Sequence, residues 1–230
     1  MNLSQKLFSF LFVVLFVGCV HAQSDSSAGV GADGFPNIWW KEVPADQLPG
    51  WEIPPQAADR AKGEVVLSKR NELGQFSNLG PAGFVLDGQE YGSVEGLWQG
   101  MKYPESKDDE RNKDGIQWAY TRAQVFAMKG FEAKKAGDLA NANMKQLGIK
   151  WLTYQGRKIV YNGEDAPFHY ELILRACRAK LEQNPELTKL LLSTKNLTFF
   201  ADHKQAPDSL PSYKYHEIYM KLRAELQGAH

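Results

Sequence analysis

Cysteine is almost missing from this chain: Cys19 and Cys177 are the two among 230 residues. Cys19 lies in an N-terminal apolar segment that reads as removable, so Cys177 would stand alone and no internal disulfide can form. That is uncommon for an exported chain, and it leaves stability to packing. An excess of charge of one sign is missing too. Lys plus Arg and Asp plus Glu both number 27, which gives no electrostatic footprint for non-specific nucleic-acid binding. No apolar run reaches the roughly 20 residues needed to span a membrane. The five histidines show no ligand spacing, so no metal is expected, and no other cofactor is. No internal repeat is found.

What is present begins with an address. Lys6 supplies a positive start, Leu7 to Gly18 form a short apolar run, and Val20-His21-Ala22 offers slender side chains for a peptidase. This predicts a signal peptide over 1–22 and an exported product, periplasmic or secreted. The alternative is a lipoprotein signal, in which Gly18-Cys19 precedes a lipid anchor on Cys19. Cleavage after Ala22 takes away one lysine and no acid, leaving 26 basic against 27 acidic residues. The remaining length of about 208 residues suits one domain with a sizeable core.

Residues 23–34 are rich in Ser, Gly, Ala and Asp and read as a flexible tether. Over 35–60, Trp39, Trp40 and Trp51 stand among five prolines. Prolines exclude regular helix while tryptophans call for burial, so this is either a strap wrapped on the core or a lid over a site. The core domain is expected over 61–228. Val65-Val66-Leu67 reads as a strand, and 83–91 as a hairpin turning at Asp87-Gly88, a type I′ pair. A helix follows from Ser93 to Tyr103, stopped by Pro104. Thr121 and Gln124 form a capping box. Gly130 and Gly137 divide 131–147 into two helical pieces, and a second hairpin turns at Gln155-Gly156-Arg157. Asn184-Pro185-Glu186 reads as a helix start. Ile173, Cys177 and Leu181 face a core, which argues against a reactive thiol. Tyr215, Ile218, Tyr219, Leu222 and Leu226 stripe a last helix. The pattern is α+β, mostly helical with a few short strands.

Ser93 to Tyr103 is the most informative stretch. On a helix Val94, Trp98 and Met101 share one face, and Glu95, Gln99 and Lys102 share another, turned about 100° from it. The polar trio therefore borders the buried stripe, where a carboxylate, an amide and an ammonium can line a cleft. A solvated face carrying a helix-spaced ion pair is the bland reading of the same spacing. Gly96 and Gly100 each cost a helix interior roughly 0.8–1 kcal/mol against alanine, which makes sense if another backbone or a ligand comes close.

Gly74 to Leu79, Leu86 to Tyr91, Glu95 through Gln99 to Lys102-Tyr103, Phe131 to Gly137 and Arg175 to Asn184 with Leu190 to Thr194 follow one another in a set order. This ordered set, spanning about 64–226, resembles the NADAR superfamily. It matches a Ser-Asn-Phe-like element, an Asp-Gly hairpin, a Glu-x-x-x-Gln-x-x-Lys-aromatic helix and an Ala-Lys-x-x-Gly element. The resemblance implies an N-glycosidase acting on ribosylamino-pyrimidine or ADP-ribosyl-guanine compounds, with a small nucleotide or ribosyl-base substrate. Glu95 matches the family's essential glutamate, Lys102 its helix lysine and Asn78 its Ser-Asn element. Asp202-His203 stands near the place of a late Glu-His element. Asp208 stands where an Asp-x-x-Trp-Gly element should begin, but Ser209 to Tyr213 fill the place of its Trp-Gly. Trp151 is the candidate for a mid-chain tryptophan.

Breaking a C–N glycosidic bond passes through an oxocarbenium-like sugar and leaves a base that needs a proton. Glu95 is expected to stabilise that cation and activate water, or to attack it, with Asp208 or Asp202 as second carboxylate. Lys102 would lower the Glu95 pKa and hold a phosphate, or add to the opened ribose as a Schiff base. Asn78 would orient hydroxyls and His203 protonate the leaving base. Gln99, Trp98 and Trp151 complete the expected substrate contacts. Two rival functions stand beside this one: a non-catalytic exported binder of nucleotide or ADP-ribose-like ligands, and a structural surface lipoprotein.

Overall fold

The structure, a computed structural model, describes residues 29–113 and 115–228. The signal peptide and Cys19 lie outside the described residues, as does the start of the tether. Six helices and three two-stranded sheets make up the described chain, an α+β arrangement. β1 (Glu64–Val66) pairs in parallel with β6 (Thr198–Phe200). β2 (Phe84–Leu86) and β3 (Gln89–Tyr91) form the expected hairpin, with Asp87 and Gly88 both at positive φ as a type I′ turn requires. β4 (Leu152–Tyr154) and β5 (Arg157–Ile159) form the second, turning at Gln155-Gly156.

Around these strands stand α1 (Val94–Gly100), α2 (Arg122–Ala127), α3 (Gly130–Leu147), α4 (Ala166–Glu182), α5 (Pro185–Ser193) and α6 (Tyr215–Gly228). Leu172, Ile173, Cys177, Leu181, Ile218, Tyr219 and Leu222 interlock in the core. Burial pushes the Cys177 thiol up to about 11, which leaves it inert at neutral pH.

Several local expectations change. α1 ends at Gly100, and Met101 to Tyr103 form a turn, with the Lys102 and Tyr103 amides bonding back to Gln99 and Gly100 carbonyls. Gly137 does not divide a helix; α3 runs unbroken through it. Asn184 precedes α5 without a side-chain cap bond, while its amide nitrogen donates to the carbonyls of Gly83 and Lys180. β6 had no signal of its own: two phenylalanines after a helix end make a strand only once β1 offers an edge. The capping box at Thr121 and Gln124 is present as expected.

The segment before β1 is tied down along most of its length. Asp33 accepts two bonds from Arg60, of 2.7 and 2.6 Å, so the tether does not reach past the first described residues. Trp39 is buried and donates to Glu72 Oε1 at 2.6 Å, and Trp40 donates to the Glu64 carbonyl at 2.8 Å. This half is a strap. Trp51 behaves differently: it is 47% exposed and lines a cleft of about 800 Å³.

Candidate active site

Ser93 starts α1 by accepting a bond from the Gly96 amide and donating to the Met128 carbonyl. The second bond anchors α1 to the end of α2. A Cβ on Gly96 would lie 2.7 Å from the Met128 carbonyl oxygen and 2.9 Å from that of Phe126, and one on Gly100 would overlap the Phe126 ring. The two glycines thus answer a close approach by α2. With that face occupied, the helix turns Glu95, Gln99 and Lys102 toward a cleft of about 800 Å³ that all three line.

The opposite parts of the lining come from distant segments. Asn78 enters from the loop before β2, and its carbonyl accepts the Glu95 amide at 2.9 Å. That loop is held from beneath by Lys180, fully buried on α4, which donates to the Gln75 and Ser77 carbonyls at 2.6 and 3.3 Å. Trp98, Tyr161 and Tyr213 supply an aromatic wall; the Trp98 and Tyr213 rings lie 4.9 Å apart. Trp51 and Phe131 stand at the mouth. His203 lines the cleft, and Asp202 lies behind it.

Electrostatics set the protonation of these groups. Burial pushes the Glu95 pKa up, only partly offset by a 2.7 Å bond from Gln99 Nε2 and by the charge of Lys102. Burial brings the Lys102 ammonium down to about 8, against the pull of Glu95. Asn78 Oδ1 and Gln99 Oε1 are buried acceptors without a partner among the described residues. Burial works to raise Asp202, but bonds from His203, Lys69 and Tyr215 outweigh it and hold its carboxylate ionised. His203 Nδ1 lies 2.9 Å from Asp202 Oδ1. An ionised acceptor calls for the Nδ1–H tautomer, which leaves Nε2 free.

The structure therefore brings together Glu95, Gln99, Lys102, Asn78, Trp98 and His203. Three expected residues fall elsewhere. Asp208 is exposed on its loop and does not line the cleft. Asp202 is buried behind His203, where Lys69 and Tyr215 also hold it, so it cannot serve as a second carboxylate facing a ligand. Trp151 carries the Arg111 guanidinium and the Lys158 ammonium over its ring, at 4.9 and 4.5 Å from the centroid, and does not line the cleft. Among the described residues no group of three or more His, Cys, Asp and Glu side chains gathers as a metal site would require.

Among solved structures the chain is similar to the E. coli protein YbiA, whose structure was determined by NMR. The two share 18% identity over 70% of this chain and 83% of that one, with a TM-score of 0.45. No family model and no curated protein matches.

Sequence reasoning missed the supports. Arg111 is fully buried and joins the Met101 carbonyl, Thr153 and Asp109; Arg122 joins the Tyr103 carbonyl, Thr153 and Glu105. Together they tie the end of α1 to the β4–β5 hairpin. Their signal is faint, since an arginine in a polar loop looks solvated until its partners are known. Tyr161 was missed because it sits in a loop and Tyr213 because it ends a three-residue 3-10 turn, neither of which carries a periodicity. His169 was missed as well: it is fully buried, its ring centroid is 4.2 Å from that of Trp98, and neither ring nitrogen has a partner among the described residues.

Proposed function

We propose that this chain is a divergent NADAR-type N-glycosidase, splitting the bond between ribose and base in a ribosylated or ADP-ribosylated compound. The observation that carries the reading is the convergence of Glu95, Gln99, Lys102 and Asn78 on one cleft. Glu95 is the key carboxylate. Placed by the anomeric carbon, it stabilises positive charge as the C–N bond breaks, and accepts a proton from the water whose oxygen forms the new C–O bond. His203, with its Nδ1–H held by Asp202, acts in its doubly protonated form: it gives the Nε2 proton to the base nitrogen and regains one from the proton that Glu95 took from water. This replaces the second carboxylate expected from sequence. Asn78 lines the cleft, and its Oδ1 lacks a protein donor, which suits a ribose hydroxyl.

Lys102 makes no hydrogen bond or ion pair among the described residues, and at about 8 part of it is neutral near pH 7. It therefore suits either charge stabilisation beside Glu95 or addition to the aldehyde of an opened ribose. The proposal includes export, so the substrate would be nucleotide-derived material met outside the cytoplasm.

The test incubates the protein with ADP-ribosylated guanine, NAD and ADP-ribose and follows released base by chromatography. Glu95→Gln should abolish release and keep the circular dichroism of the parent. Undiminished release by that variant would end the assignment. Borohydride added during turnover separates the two roles of Lys102: a reduced adduct on it marks amine addition, and its absence marks direct attack by water. A binder without chemistry is favoured by the exposed position of Asp208, and would show ligand-raised melting temperature with no base released.

A further inference from the structure

α1 and α3 pack against each other where the cleft is formed, and the contact between them is unusual in composition. Gly137 is buried in the middle of the 18-residue α3, flanked by the buried Ala133, Ala136 and Ala140. Helix propensity favours alanine over glycine at such a place. No turn or left-handed backbone explains the glycine, since α3 is continuous and Gly137 is not among the positive-φ glycines. The reason lies across the interface. A Cβ at 137 would fall inside the envelope of the Gln99 Oε1 and Cδ atoms and 2.8 Å from Cγ. The amide of Gln99 occupies the space that a methyl group would take. From there its Nε2 donates to Glu95 Oε1 at 2.7 Å.

We propose that Gly137 is a positioning residue of this site: its bare Cα leaves room for the Gln99 amide, and through that amide it holds the Glu95 carboxylate. The inference rests on the functional reading above only in giving Glu95 the reacting role; the steric relation stands on geometry. The atoms that a methyl would displace belong to a movable side chain, not to backbone. The fold can therefore absorb an alanine by swinging Gln99 away, and the cost falls on Glu95. Without its donor, the carboxylate faces burial with less compensation, and its protonated form is favoured further. Gln99 thereby changes from an expected substrate contact into the link between α3 and the acid.

The experiment follows the carboxyl carbon of Glu95 by NMR as a function of pH in the whole protein, with Glu95→Gln used to assign the signal. Gly137→Ala, Gln99→Ala and the double variant are compared with the parent. The titration midpoint should rise in Gly137→Ala and in Gln99→Ala, and the double variant should match Gln99→Ala, because the methyl has then nothing left to displace. On an active substrate, Gly137→Ala should lower kcat by roughly 100-fold, the scale of a small misplacement of a reacting group, with little change in KM, and its acid limb should move to higher pH. A parent-like midpoint in Gly137→Ala, or shifts that add in the double variant, would overturn the proposal. Should Gly137→Ala fail to fold, the double variant decides: it should fold and melt no lower than Gln99→Ala, and its failure too would overturn the proposal. Since the titration reads Glu95 without turnover, a lack of glycosidase activity sinks the functional reading separately.

Discussion

His169 holds one of the least compensated positions among the described residues. Its ring is fully buried against Trp98 and Tyr161 with both nitrogens unpartnered, and burial pushes its pKa down to about 4. In the unfolded chain it titrates near 6.5, so between about pH 6.5 and 4 the unfolded state binds the extra proton. Stability contributed by keeping His169 neutral is thus whole above pH 6.5 and drains away as pH falls to 4, by on the order of 3 kcal/mol. Urea melts of the parent and of His169→Leu, taken from pH 7 to pH 4, should diverge by that slope. Parallel loss of stability in both proteins would show that the ring finds a proton or a partner when folded. The same residue-scale logic governs Glu95 and Lys102, where burial brings an acid up and an amine down. Their shared face was legible in the i, i+4, i+7 spacing. That it meets a cavity and not bulk water was not, because periodicity carries no information on what lies opposite.

At the scale of elements, the short α1 is held by its neighbours more than by its own propensity. It has seven residues and two of them are glycine, well below the length at which an isolated helix persists. Ser93 ties its start to the end of α2, Arg111 and Arg122 tie its finish to the β4–β5 hairpin, and Gly96 and Gly100 admit α2. Gly96→Ala should therefore destabilise the protein by about 1–3 kcal/mol, as overpacking does, although alanine is the better helix former. Chemical denaturation measures this directly, and a gain in stability would refute the close approach. The glycine pair signalled some close partner in the sequence. Gly137 misled, because a glycine inside a helical pattern reads as a break when its real cause is a side chain arriving from another helix.

For the whole molecule, the strap before β1 shows how one composition serves two ends. Trp39 is 1% exposed within the core, whereas Trp51 stands at the cleft mouth with Lys69 5.5 Å from its ring centre. The segment bearing Trp51 is pinned at its far side: Arg70 grips both oxygens of Glu52, at 2.6 and 2.7 Å, and Ile53 donates to the Asp202 carbonyl at 2.8 Å. Removal of the two rings should consequently have unlike effects. Trp39→Ala is expected to cost about 3–5 kcal/mol of stability, and Trp51→Ala less than about 1 kcal/mol while weakening ligand binding in the cleft. Urea denaturation of both variants tests the contrast; equal losses would mean that Trp51 is packed as core. The tryptophans and prolines announced a wrapped segment, but which ring is buried depends on what surface each one meets.

Local chemistry written in the chain was enough for the elements whose cause is local: the Asp87-Gly88 turn, the capping box at Thr121, the apolar stripes of α4 and α6, and the shared face of Glu95, Gln99 and Lys102. These depend on residues a few positions apart, so spacing alone determines them. Packing across distant segments decided the rest. It paired β6 with β1, buried Asp202 behind His203, left Asp208 in solvent, set Trp151 beneath two cations and laid Gln99 over Gly137. Each of those outcomes turns on which surfaces meet, and a burial cost or a steric overlap arises only when they do.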